Sequence, residues 1–547
     1  MDFEAAGRLS IPDLLDQRVV ETPDAPAIQG VLGELTFREW QERAAGLAGL
    51  LGGNSGSLKG ERVLLWMSND EATLFVCALH ACFITAAVAV ALDDRATPDE
   101  AGRIIAETDP RAILISPQVL RNLGQEGLDR LGVPARVSDD NPETVCVLQL
   151  DRGRFDEEPA SWNPGDTPGL EPAPSVATAD DRSFIAYTSG STGRPKGAIW
   201  NHAGVVQYAE RATRGIYSLP RNGTNLSPAD VLQSPVPLYT AASLIESLYP
   251  TAFSGCRLIF EGRKFDAAAS EQRMRDFGTT VFNGAPPHFA LMCDLPAAPN
   301  PDRLGLMVSG GSAFTKPLYE RMRRRWPGVP IANWYGLNES GTGQTLNFGA
   351  DIERDPGAIG RPVWPTECRI VHETASGEFT EVPSGEEGEL WLKGPGQMSE
   401  YFRNPEQTAK RLQDGWLRTG DHAVVEEDGL IRVVGRNEER INRGGFKFYP
   451  AELESTLEQH EAVREAAVIA VPHSVLGQDA VAFVVPVGGR SVDEDALRQH
   501  CRHLIAPNKV PSRVFARTEL PRGAYGKVVK RKLEQTYREI NPDESNR

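Results

Sequence analysis

Hydrophobic positions in residues 10–135 fall into two alternating patterns. Short unbroken apolar runs, such as Arg62-Val63-Leu64-Leu65-Trp66 and Ala112-Ile113-Leu114-Ile115, are separated by longer stretches with apolar residues at helical spacing. That alternation predicts βα units and a largely parallel sheet. A polar stretch rich in Pro and Asp, 139–181, carries no periodicity and is expected to run over the surface. Strands and helices then resume to about residue 350. Over 357–435 the pattern changes to short β segments with Gly turns, as in Gly388-Glu389-Leu390-Trp391-Leu392 and Leu430-Ile431-Arg432-Val433-Val434. After Gly435-Arg436 a smaller α+β unit is expected, with a helix from Pro450 and a strand over 466–471. The predicted fold class is α/β: a large N-terminal domain of βα-layered sheets plus a β-rich subdomain (1–436), and a small α+β C-terminal domain (437–547).

Composition changes this picture little, and charge changes it more. A chain of 547 residues is too long for one compact core, so at least two domains are expected. With 40% hydrophobic and 24% charged residues, it reads as an ordinary globular protein. The net charge of −17 argues against nucleic acid or an anionic membrane as partner. Any anionic ligand must therefore be held by local cations and backbone amides. Cysteines 77, 82, 146, 256, 293, 368 and 501 are scattered without CxxC spacing, so free thiols and no metal cluster are expected. The acidic start, Met1-Asp2-Phe3-Glu4, and the absence of a transmembrane-length run predict a cytoplasmic protein.

The densest chemical signal is Tyr187-Thr188-Ser189-Gly190-Ser191-Thr192-Gly193-Arg194-Pro195-Lys196-Gly197, directly after the strand-like Ser183-Phe184-Ile185-Ala186. Glycines let backbone amides approach an anion, hydroxyls add donors, and lysine adds a point charge. This is the composition of a loop that closes over nucleotide phosphates. It is not a Walker loop, because Lys196 is followed by Gly197 rather than Ser or Thr, and no GxGxxG fingerprint occurs in the chain.

The segment resembles the phosphate loop of the adenylate-forming superfamily, which comprises acyl-CoA synthetases, peptide-synthetase adenylation domains and luciferases. Four further signatures follow in the family's order: Asn333-Trp334-Tyr335-Gly336-Leu337-Asn338-Glu339, Gly415-Trp416-Leu417-Arg418-Thr419-Gly420-Asp421, Arg436-Asn437-Glu438-Glu439-Arg440 with Gly444-Gly445, and Leu520-Pro521-Arg522-Gly523-Ala524-Tyr525-Gly526-Lys527. The resemblance spans nearly the whole chain. It implies that Thr188, Ser189, Gly190, Ser191, Thr192, Gly193 and Lys196 hold the phosphates. Tyr335, beside Gly336, is the implied adenine platform, Asn338 the α-phosphate donor and Glu339 the magnesium carboxylate. Asp421 matches the residue that binds the ribose hydroxyls, and a carboxylate suits a vicinal diol because its two oxygens can take both protons. Arg436 matches the arginine that contacts ribose or phosphate, and Lys527 the lysine carried by a mobile C-terminal lid. Glu438 stands at the implied hinge, and Gly444 and Gly445 at the implied thiol tunnel.

Around the acid the resemblance implies Tyr239, Thr240, Asn283 and Gly310 for the substrate, with Gly311 near the nucleotide. This chain departs from the family at Asn338, where Thr is usual, at Thr240, where His is frequent, and at Glu438, where Asp or Lys is usual. No charged residue in the recognised pocket segments marks a second polar group on the acid. The implied reaction is adenylation of a small-molecule carboxylic acid by ATP·Mg²⁺ with release of pyrophosphate. Thioester formation with coenzyme A and release of AMP then follow, in a monomer or homodimer. The alternatives are transfer to a carrier-protein thiol or an amine, and activation of an unusual small acid such as nitrous acid for diazotisation of an aromatic amine.

Overall fold

The computed structural model describes residues 3–52, 57–132, 145–151, 154–155, 160–162, 175–188, 195–374, 378–488, 491–523 and 528–541. Among these residues the strands form four main sheets. In the first, Thr342–Asn347, Ile331–Leu337, Leu306–Ser309, Val281–Gly284, Val231–Ser234, Arg257–Phe260 and Pro26–Gln29 lie side by side in that order. Pairing is parallel from Ile331–Leu337 through to Pro26–Gln29, and antiparallel strands close both ends. The second sheet runs Lys196–Asn201, Arg182–Thr188, Val88–Leu92, Arg62–Trp66, Ala112–Ile115 and Val145–Asp151.

Strand periodicity explains how these sheets are covered. Successive side chains point to opposite faces. Val63 and Leu65 enter the main core, while Leu64 and Trp66 enter a second core on the other face. Both faces are therefore buried, which is why these strands read as continuous apolar runs rather than alternating ones. The main core also takes residues from the first sheet, such as Ile28, Leu232 and Val308, so one core joins the two sheets. The helix Ala72–Ile84 lies within it, buried on nearly every side, as a helix that is apolar all round must be.

The stretch 139–181 departs from its expected surface course. Val145–Asp151 is a strand antiparallel to Ala112–Ile115, and Ala160–Trp162 pairs with it. Val145, Val147 and Trp162 are buried. The apolar run Val145-Cys146-Val147-Leu148 is short, and the Pro- and Asp-rich flanks obscured it.

The third sheet is antiparallel, with Glu367–Glu373, Glu387–Lys393, Trp416–Val425 and Ile431–Arg436 at its centre. The fourth is built from Ile441–Arg443, Phe446–Phe448, Val463–His473, Gly477–Pro486 and Arg513–Ala516, packed with the helices Pro450–Glu458, Glu494–Leu504 and Lys530–Ile540. At the junction of these sheets, Gly435 meets the Tyr449 ring so closely that a Cβ would stand 2.4 Å from it. The Tyr449 hydroxyl donates to Glu387 at 2.9 Å, tying the start of the fourth sheet's unit to the third sheet.

Candidate active site

The C-terminal ends of the parallel strands in the first sheet open onto a cavity of about 1180 Å³. Open parallel sheets place ligands at this end of their strands. Asn283 and Gly284 end one strand, and Gly310 follows another; all three line the cavity. The second sheet contributes Lys196 and the third Thr419, Gly420 and Arg436, while Gly523 reaches the cavity from the C-terminal unit.

Glycines in this wall are required by close backbone and ring approaches. A Cβ on Gly336 would stand 1.5 Å from the Thr342 carbonyl oxygen, where the hairpin carries a register irregularity. A Cβ on Gly310 would stand 1.7 Å from Trp334 Nε1, and one on Gly343 3.0 Å from Trp334 Cε3. The indole of Trp334 is thus wedged between two glycines, and it lines the cavity.

The cations that an anionic ligand needs are gathered locally despite the acidic chain. Lys196, Arg411 and Arg436 line the cavity with Glu339 and Glu438. Lys196 begins its strand opposite Thr188, so the glycine-rich segment connects two antiparallel strands. Its Nζ donates to Gln407 at 2.8 Å and lies 5.4 Å from the centre of the Tyr401 ring. Burial, then repulsion from Arg411, draws the Lys196 ammonium below its usual range. Burial opposes the charge of Arg411 too, but Glu339 and Tyr401 outweigh it and hold the guanidinium pKa up. Glu339 is buried and accepts the Tyr401 hydroxyl at 2.8 Å.

A divalent cation that binds nucleotide takes oxygen ligands from one or two carboxylates and completes its shell with phosphates and water. Glu339, a cavity-lining carboxylate among cations, fits that requirement. Among the described residues no group of three or more His, Cys, Asp or Glu makes a self-sufficient metal site.

Several expected site residues converge here: Lys196, Tyr239, Thr240, Asn283, Gly310, Gly311, Gly336, Asn338, Glu339, Arg436 and Glu438 all line the cavity. Tyr335 and Asp421 stand apart from the lining but are coupled to it. The Tyr335 hydroxyl donates to Asp421 Oδ2 at 2.5 Å, and Arg436 Nε donates to Asp421 Oδ1 at 2.8 Å. Gly444 and Gly445 form an exposed turn outside the cavity. Ser189, Gly190, Ser191, Thr192, Gly193 and Lys527 lie outside the described residues, as does the side chain of Thr188.

One polar group outside the recognised pocket segments also belongs to the cavity wall. Glu246 lines the cavity, although it is only 5% exposed. Its Oε1 accepts the Gly343 N–H at 3.2 Å. Burial pushes the carboxyl up to about 8, with hydrogen bonding from Thr342, Gly343 and Asn283 as a partial offset. Buried Arg211 braces the same backbone, donating to the Gly343 carbonyl and, at 2.9 Å, to Gln344 Oε1. Glu246 sits in a π-helical stretch, Ser243–Leu248, and Arg211 immediately precedes another, Ala212–Ile216. Such segments often accompany functional sites. The available sequence signal was a single glutamate inside the apolar run Leu244-Ile245-Glu246-Ser247-Leu248.

Comparison with known proteins establishes the family. Residues 15–402 match the family model of AMP-binding enzymes, and residues 452–527 that of the AMP-binding enzyme C-terminal domain. A feruloyl-CoA synthase of Amycolatopsis sp is 30% identical over 523 residues, covering 95% of this chain and 98% of that protein. A long-chain-fatty-acid–CoA ligase of Escherichia coli is 28% identical over 543 residues, covering 96% and 94%. The crystal structure of ATP-bound MatB from Rhodopseudomonas palustris superposes with a TM-score of 0.80 at 25% identity, covering 97% of this chain and 100% of that one. The chain belongs to the AMP-binding enzyme family, within the adenylate-forming superfamily. It is an AMP-forming ligase of the acyl-CoA synthetase type. No described helix is long and apolar enough to cross a membrane.

Proposed function

We propose that the protein joins a carboxylic acid to coenzyme A in two steps within this cavity. An oxygen of the acid attacks the α-phosphorus of ATP, the bond to the β-phosphate oxygen breaks, and pyrophosphate leaves. The coenzyme A thiol, losing its proton, then attacks the acyl carbonyl of the adenylate, and AMP leaves. The observation that carries this reading is the convergence of Lys196, Arg411, Arg436 and Glu339 on one cavity that Asn283 and Gly310 also line.

Each residue has a physical part. Lys196 and Arg411, both partly buried, would offset phosphate charge. Glu339 would hold Mg²⁺, which supplies further neutralisation of the phosphates when bound. Asp421, oriented by Arg436, would accept ribose hydroxyls. Lys527 follows four residues after Gly523, which lines the cavity, and is assigned to the developing charge at the α-phosphate. Residues 437–547 would act as the lid, with Glu438 at the hinge. Gly444 and Gly445, exposed here, would meet the pantetheine arm after the lid rotates. The adenylate brings its own leaving group, so the second step depends chiefly on positioning.

The test is pyrophosphate release from ATP·Mg²⁺ across aryl and aliphatic carboxylic acids plus nitrite, each with and without coenzyme A. Release with a carboxylic acid and a thioester product detected by mass supports the reading. Adenylation indifferent to coenzyme A, or dependent on nitrite with an aromatic amine, overturns its second half.

A further inference from the structure

The inner wall of the cavity combines a fixed flat ring with a buried acid. Trp334 cannot retreat, because Gly310 and Gly343 already admit it without a Cβ to spare. Its indole also lies 5.8 Å from the Tyr217 ring, and the Tyr217 hydroxyl donates to the Glu246 carbonyl at 2.6 Å. Asn283 Nδ2 reaches the Tyr217 hydroxyl and Ser247 Oγ at 3.4 Å each. Glu246, Asn283, Thr342 and Trp334 all line the cavity; the first three belong to one hydrogen-bonded group around Tyr217, and the Trp334 indole packs on the Tyr217 ring.

A buried carboxyl facing a ligand cavity is costly unless something meets it. In its ionised form the carboxylate offers about four acceptor positions, more than the contacts from the Gly343 N–H, Thr342 and Asn283 fill. A long alkyl tail gives Glu246 nothing. A ligand donor satisfies it, and an aromatic ring gains contact with the indole.

We propose that Glu246, with Asn283 and the Trp334 indole, recognises an amino or hydroxyl substituent on the acid. The substrate is then a compact aromatic acid carrying a hydrogen-bond donor remote from its carboxylate. This rests on the acid-activating reading above and names the substrate class for that site. Burial holds the carboxyl near 8, so a donor from the ligand, added to the hydrogen bonds from Thr342, Gly343 and Asn283, favours its ionised, accepting form. Arg211 holds the Gly343 backbone as a positioning residue, and its charge also favours the ionised form of Glu246.

The test measures kcat/KM for pyrophosphate release with benzoic acid, its 3- and 4-amino and 3- and 4-hydroxy derivatives, and octanoic acid. Wild type, Glu246→Gln and Glu246→Leu are compared. A missing donor opposite a buried acceptor leaves that group unpaired, so wild type should favour a donor-bearing acid by about tenfold or more over benzoic acid. Glu246→Leu should erase or reverse that ratio, and Glu246→Gln should retain part of it. Greatest activity of wild type with benzoic or octanoic acid would overturn the subsite and leave acid activation standing. An equal loss on every acid in Glu246→Leu, with the wild-type ratio near one, would do the same. Absence of release with all six acids, while ATP still binds, would overturn the activation reading and the subsite together. The wild-type ratios decide the matter even if Glu246→Leu does not fold.

Discussion

The Tyr335 hydroxyl donates to one oxygen of Asp421 at 2.5 Å, while Arg436 Nε holds the other at 2.8 Å. Both oxygens are thus engaged by protein groups. The pairing fixes the carboxylate's orientation, and Asp421 drives the Arg436 guanidinium pKa above its usual range. A carboxylate has about four acceptor positions, so the proposed ribose diol would use those that these two bonds leave. Removal of Asp421 by Asp421→Ala should raise KM for ATP about tenfold or more, the loss expected for a charged hydrogen-bond partner. It should also abolish discrimination between ATP and 2′-deoxy-ATP, whereas Tyr335→Phe should retain it. Steady-state pyrophosphate release with both nucleotides checks this.

Glu339 accepts the Tyr401 hydroxyl and lines the cavity beside Lys196 and Arg411. Glu339→Gln preserves an acceptor for Tyr401 and removes the charge. The magnesium concentration for half-maximal rate should rise by about an order of magnitude, with kcat lower. Tyr401→Phe should leave the magnesium requirement nearly unchanged. A magnesium titration of both variants separates the two roles.

Trp334 and Gly310 cannot both carry a Cβ in their present places. Gly310→Ala should displace the indole and cost about 1–3 kcal/mol, as overpacking does. Trp334→Gly should enlarge the acid pocket, improving kcat/KM for longer acids while lowering it for compact ones. Thermal unfolding and an acid-length series measure these effects.

Buried titratable groups set stability limits on both sides of neutrality. Glu246 and Glu458 are each pushed from 4.5 up to about 8, chiefly by burial. Between about 4.5 and 8 the folded protein retains protons that the unfolded chain has lost, so their contribution falls as pH rises through that window. Burial draws His80 from 6.5 to about 3 and His202 to about 4. Below 6.5 the unfolded chain binds protons first, so the histidine contribution falls as pH drops. From these groups Tm should decline as pH rises from about 6.5 to 8 and as it falls below about 4.5, the carboxyl and imidazole effects offsetting one another between; Glu246→Gln should flatten the alkaline limb and make Tm fall with pH already below 6.5. Melting curves from pH 4 to 9 test this.

The parts of the fold most legible in sequence were those with unambiguous periodicity. The predicted runs at Arg62–Trp66 and Ala112–Ile115 are strands with these bounds, and a helix begins at Pro450. Val145–Asp151 was missed because an apolar run of a few residues between polar flanks carries little pattern. In the site, Lys196, Asn338 and Glu339 were visible through motif spacing. Glu246 and Arg211 were not, since neither belongs to a signature and only tertiary packing brings Gly343 between them. The coupling of Tyr335 to Asp421, 86 residues apart, is likewise a product of two sheets meeting.

Lys527→Ala should reduce acid-dependent pyrophosphate release at least a thousandfold while leaving thioester formation from a supplied acyl adenylate within a few fold. The loss would follow from removing the cation proposed to act at the reacting phosphate, and the two half-reactions are assayed separately.

The most direct measurement follows the oxygen atoms of the acid. With the best acid from the panel, labelled with ¹⁸O in both carboxylate positions, mass analysis of the nucleotide product identifies the bond formed. Attack of the carboxylate on the α-phosphorus predicts one ¹⁸O atom in each AMP and none in pyrophosphate. Label in phosphate or pyrophosphate, or unlabelled AMP accompanying thioester, would contradict an acyl adenylate intermediate.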